Sequence, residues 1–231
     1  VSVPFYVPPE QLTKEKAEFA RKGIARGRPL VVLEYGGGIL FVAENPSTHL
    51  HKVAELYDRI AFAAVGRFSE FENLRQAGVR LADLRGYAYG REDVTSRSIA
   101  NAYSQNLGQI FVQEFKPYEV ELCVAEVGTD GAANALYHIV FDGNVFDRKG
   151  FLAMGGQADE LNAELQRSYD ENLELDAALQ LAVRALRQAA PAGEGAGSRL
   201  EVAVLERDRP RRSFRRLPEE DVESRVGEPA S

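Results

Sequence analysis

Three features of the sequence could carry chemistry, and each is tested by what surrounds it. Gly36-Gly37-Gly38 separates two apolar runs, residues 30–33 and 39–42. A glycine-rich loop can cradle a phosphate, but such a loop opens a helix and carries Lys-Ser/Thr after its last glycine. Here Ile39, Leu40 and Phe41 follow, so the chain turns back as a strand and the glycines serve a hairpin bend. His49 and His51 stand i,i+2, a spacing that presents two imidazoles on one side of a strand to a metal. No third ligand lies nearby, and with His138 they form no HExxH pattern. Cys123 sits inside the apolar run VELCVAEV and reads as a small buried hydrophobe, with neither a disulfide framework nor a Cys/His cluster around it.

Composition narrows the classes further. The chain has 231 residues and a formal net charge of −7, enough length for one large core and the wrong sign for a nucleic-acid binder. The arginine-rich run 207–216 is interspersed with Glu206 and Asp208 and followed by Glu219 and Glu220. It reads as a solvated edge or a subunit contact, not a nucleic-acid surface. No apolar run reaches the length of a membrane span, and no signal-peptide pattern opens the sequence. The expectation is a cytoplasmic protein without metal or cofactor.

The elements that must position any site follow from periodicity and punctuation. Residues 1–9 are apolar and rich in proline. A helix is expected from Pro9 to a stop at Gly27, and the glycine hairpin comes next. Residues 52–56 and 60–65 predict two more strands around Tyr57-Asp58-Arg59. Ser69-x-x-Glu72 has the form of a capping box opening a helix. A longer helix is expected over 95–115, stopped by Pro117, and three strands over the region 118–156. A helical region over 158–188, broken near 171–175, leads to a low-complexity loop over 189–199 and a last strand pair over 199–217. Residues 218–231 are expected to be disordered. Strand blocks alternating with helix pairs suit two antiparallel sheets face to face with helices outside, a four-layer α/β/β/α sandwich.

Four long stretches carry a resemblance: ARKGIARGRPLVVLEYGGGILFVAENPS, LHKVAELYDRIAFAAVGRFSEFENLR, RGYAYGREDVTSR and KPYEVELCVAEVG. Over residues 5–217 the chain resembles the proteasome core-particle alpha subunits of the actinobacterial type. The resemblance implies the N-terminal-nucleophile hydrolase fold in a non-catalytic member of a seven-membered alpha ring. It implies as partners further copies of the chain, a ring of beta subunits, unfolded protein substrates, and a hexameric AAA ATPase activator docking by its C-terminal tails. Substrates marked by a small ubiquitin-like protein belong to the same implication, which includes neither nucleic acid nor membrane. Residues 1–9 become a gate segment, 10–217 the alpha-type domain and 218–231 a tail.

The resemblance also assigns sites. In catalytic siblings the first hairpin strand begins with a threonine whose hydroxyl attacks the peptide carbonyl while its own α-amine serves as base. Here Gly27-Arg28-Pro29 occupies that place behind an intact helix, so Glu44 and Lys52, the accompanying acid and lysine, have no hydroxyl to activate. Lys52 is instead expected to bind the terminal carboxylate of an activator tail, a task suited to a point ammonium on a flexible stem. Gly27 and Gly66 would leave room for the tail's backbone, and Arg67 is either a second cation or a solvated side chain. Val3, Pro4, Phe5, Tyr6, Val7, Pro8 and Pro9 would form the gate, with the apolar residues converging on the ring axis and the prolines as a stiff hinge. Two alternatives stand beside this. A self-processed N-terminal-nucleophile hydrolase needs a Thr, Ser or Cys exposed at a strand head, and a standalone binding module predicts a monomer.

Overall fold

The computed structural model describes residues 8–129, 131–190 and 199–226. Helix α1, Pro9–Ala25, leads into β1, Leu30–Tyr35, and β2, Gly38–Glu44. Two further strands follow, β3, Val53–Tyr57, and β4, Ile60–Gly66, and then helix α2, Phe68–Ala88. A short 3₁₀ turn, Arg91–Asp93, precedes α3, Ser96–Gln113. The next block is β5, Val120–Glu126, β6, Ala135–Ile139, β7, Val145–Arg148, and β8, Phe151–Met154. Helices α4, Ala158–Ser168, and α5, Leu175–Ala189, are followed by β9, Leu200–Glu206, β10, Phe214–Arg216, and α6, Glu219–Val226.

These strands make two antiparallel five-stranded sheets, in the orders β10-β9-β2-β1-β8 and β3-β4-β5-β6-β7. The expected sandwich is what forms. β2 is buried along its whole length because both faces of its sheet are covered. Its odd positions Ile39, Phe41 and Ala43 enter the core between the sheets with Val53, Ala63, Cys123 and Ala125. Its even positions Leu40 and Val42 face α4, α5 and α6 through Leu161, Leu179, Ala182 and Val222. On the far side Phe62, Leu122 and Val124 meet Phe71, Leu74, Ile99, Tyr103 and Leu107 of α2 and α3. Helix α1 belongs to neither outer layer. Its Ala20 and Ile24 are buried in the inter-sheet core, so it closes one end of the sandwich and delivers residues 26–29 to the head of β1.

Several expectations need correction. Residues 145–154 form two strands in different sheets, not one, because the turn at Gly150 (φ +80°) sends β7 to one sheet and β8 to the other. The Ser69 capping box is not made. Helix α2 starts earlier with Arg67 as its N-cap and no side-chain cap, while Glu72 turns to Arg75 at 2.6 Å. The tail expected to be disordered carries α6, whose Val222 is buried against the α5 layer. Its remaining residues 227–231, like 191–198 of the low-complexity loop, lie outside the described residues. By contrast α3 opens as read, with the Thr95 side chain accepting from the Ser98 N–H. Pro9 is already the first helical residue of α1, so the boundary placed after it falls inside an element.

Candidate functional site

The head of β1 lies at the end of the sandwich that α1 closes. Gly27 O accepts from Gly156 N at 2.8 Å, which fixes the backbone just before the strand. Arg28 follows, exposed, with its guanidinium 3.5 Å from Glu44 at the end of β2. Lys52 precedes β3 and donates from Nζ to the Arg28 carbonyl at 2.6 Å. The three positions that would serve a nucleophile, an acid and a lysine therefore still converge. A cavity of about 210 Å³ adjoins Arg28 and Glu44, lined also by Gly27, Pro29, Gln157 and Ala190 among others.

Lys52 is half-buried, and its ammonium is pushed down to about 8, first by burial and then by the Arg28 charge, with Glu201 and Glu44 pulling it back up. Its backbone is fixed as well: Lys52 N donates to Glu201 Oε2 at 2.9 Å and Val53 N to Glu201 Oε1 at 3.2 Å. The structure also brings Gly27 beside Gly66, since a Cβ on Gly27 would lie 3.3 Å from Gly66 N. Gly66 itself has φ +107°, and a Cβ there would fall 1.9 Å from Glu119 O, so its backbone alone demands glycine.

Arg67 is exposed, and its guanidinium lies 3.2 Å from Glu119 and 3.6 Å from Glu70. Lys116 joins the same carboxylates at 3.0 and 2.6 Å. Glu119 reaches this cluster by lying over Gly23 of α1, where a Cβ would meet its carboxylate at 2.1 Å. Pro8 and Pro9 begin α1, with Pro8 O accepting from Leu12 N at 3.1 Å. Val3, Pro4, Phe5, Tyr6 and Val7 lie outside the described residues.

Sequence reasoning missed Glu201 and Asn45, both buried. Asn45 Nδ2 donates to Glu201 at 2.7 Å and to Leu50 O at 2.6 Å, tying the loop before Lys52 to β9. The signal was a carboxylate inside the apolar run LEVAVLE with arginines in the next strand. In the arginine-rich run, Arg207, Arg209, Arg212, Arg215 and Arg216 bond within the chain, and Arg209 and Arg212 are exposed. His51 lies 3.3 Å from Glu201, and neither it nor His49 is in a strand. Among the described residues no group of three His, Cys, Asp or Glu is placed to hold a metal, and no helix is long and apolar enough to cross a membrane.

A sandwich of this topology, with an acid and a lysine converging on the first strand's head, defines a class, and the comparison agrees. Residues 24–205 match the family model described as "Proteasome subunit", and the chain belongs to that family. Its branch is the alpha type. The chain is 57% identical over 221 residues to "Proteasome subunit alpha" of Saccharopolyspora erythraea, covering 94% of this chain and 85% of that protein. It is 60% identical over 221 residues to the subunit of the same name from Acidothermus cellulolyticus, covering 94% of each. With that of Thermomonospora curvata it shares 54% over 230 residues and the full length of both.

Proposed function

We propose that the chain is the non-catalytic, ring-forming alpha subunit of a proteasome core particle. In this reading it stacks as a seven-membered ring on a ring of beta subunits, restricts the passage of unfolded protein into the chamber, and receives an ATPase activator. The observation that carries the non-catalytic part is Arg28. The strand head offers a guanidinium and a backbone carbonyl where hydrolysis needs a hydroxyl, and Lys52 spends its ammonium on that carbonyl. Proteolysis then belongs to the beta ring.

Activator docking is read onto Lys52, Gly27, Gly66 and Arg67. A tail carboxylate would replace the Arg28 carbonyl as the partner of the Lys52 ammonium, a charge-assisted bond in exchange for a neutral acceptor. Gly27 and Gly66 keep the adjoining backbone free of side chains, and Arg67 with Glu119 and Glu70 forms the rim. Residues 3–9 are read as the gate, anchored where Pro8 and Pro9 open α1. Lys52→Ala tests the docking. It should abolish ATPase-driven degradation of a folded protein and leave ring assembly and small-peptide hydrolysis by the particle nearly intact. Undiminished ATPase-driven degradation by this variant would remove Lys52 from the docking site.

A further inference from the structure

β3 is an edge strand, and the end of it that follows Lys52 is not left to water. The other sheet reaches across to it with side chains. Val53 donates its N–H to Glu201 Oε1 at 3.2 Å and accepts at its carbonyl from Arg216 Nη2 at 2.8 Å. The Lys52 N–H goes to Glu201 Oε2 at 2.9 Å. The Glu201 side chain is only 2% exposed, and it also receives Asn45 Nδ2 at 2.7 Å and the Arg216 guanidinium. A buried carboxylate with this many donors is fixed in position.

We propose that Glu201 is the positioning residue for the Lys52 ammonium, fixing the root of its stem through two backbone N–H groups. The inference rests on the reading of Lys52 as the group that binds a tail's carboxylate. It adds that a residue of β9, in the opposite sheet and far along the chain, decides how well that ammonium binds. The charged and titratable groups facing Lys52 are Arg28 and Glu44 at the ends of the first hairpin and Glu201 on β9, with His51 and Arg216 against Glu201. Burial holds the ammonium near 8, so the loss of one favourable charge moves it within the range of ordinary buffers.

The test uses particles assembled with a beta subunit. Trace acetylation by acetic anhydride between pH 6.5 and 10.5, read by peptide mass spectrometry, gives the titration midpoint of Lys52. Fluorescence anisotropy then follows a labelled octapeptide ending in a free leucine carboxylate, with its amide as control. Glu201→Gln should lower the Lys52 midpoint by about one unit and weaken the peptide about fivefold at pH 8, the ratio of the charged fractions. Glu201→Asp keeps the charge but retracts from the backbone N–H groups. It should hold the midpoint close to the parent's while still weakening the peptide, and it serves if the Gln variant fails to assemble. A Glu201→Gln particle with the parent's midpoint and affinity overturns the inference, as does a Glu201→Asp particle that binds as the parent does. Lys52→Ala separates the two readings. If that variant loses the peptide while the Glu201 variants behave as the parent, only the positioning role falls. If it keeps the peptide, the docking assignment falls, whatever the midpoint does.

Discussion

Replacing Gly66 with alanine should damage the isolated chain, where no tail is bound. Gly66 has φ +107°, a region costing a side chain about 1–3 kcal/mol. An added Cβ would lie 1.9 Å from Glu119 O, 2.9 Å from Glu119 C and 3.1 Å from Val120 Cα. All three are backbone atoms at the start of the paired strand β5, of Val120 and the residue before it, so no side chain can swing aside. Relief requires the β4 and β5 ends to part, which breaks the 2.9 Å bond from Arg67 N to Glu119 O, worth about 1 kcal/mol net. The sum is about 2–4 kcal/mol, and for a domain of this size that lowers the melting temperature by roughly 4–16 °C. Gly131→Ala is the control, because Gly131 has φ +82° but nothing within 4 Å of a Cβ. Thermal unfolding by circular dichroism compares the two. A Gly66→Ala chain melting within about 2 °C of the parent, or no lower than Gly131→Ala, would refute the claim that close backbone approach dictates this glycine.

Three further outcomes are expected. Binding of a carboxylate-ended tail should weaken between pH 7 and 9, because a lysine held near 8 falls from about nine-tenths to about one-tenth protonated over that span; anisotropy titrations that are flat across the range would contradict this. Removing residues 1–7, and so retaining Pro8 as acceptor for Leu12 N, should speed hydrolysis of a short fluorogenic peptide by the assembled particle while its sensitivity to a threonine-directed inhibitor stays the same; equal rates before and after removal would mean the segment is no barrier under those conditions. Val222→Asp should release α6 by placing a charge in the α5 layer, lowering the melting temperature by several degrees and exposing the helix to protease; unchanged cleavage kinetics would show that α6 contributes nothing to that core.

The sandwich was legible because its strands announce themselves locally. Gly36-Gly37-Gly38 between aliphatic runs gives the β1–β2 hairpin, which pairs Tyr35 with Gly38. The division of residues 145–154 between two sheets was not legible, since extended conformation is a local property and sheet membership is decided by distant partners. Helix α6 was hidden by its charge. Its acidic first turn gave the signature of a solvated tail, while the apolar pair Val222 and Val226 at helical spacing was the signal that counted. At the candidate site Lys52 stood out only through resemblance, because an isolated lysine at a strand start is ordinary. Glu201 could not be read as its partner. The contact joins residues from opposite sheets, and nothing in either local pattern specifies that distance.

The central question is whether this chain builds a ring that does no chemistry of its own. Native mass spectrometry of the chain co-expressed with a beta subunit, run beside a fluorogenic-peptide assay on each purified species, tests it directly. The prediction is a four-ring particle that hydrolyses the peptide and an alpha chain that, purified alone, does not. A purified alpha chain shortened to a new N-terminal threonine, serine or cysteine and turning over the peptide would contradict the account, as would a chain that stays monomeric with its beta partner present.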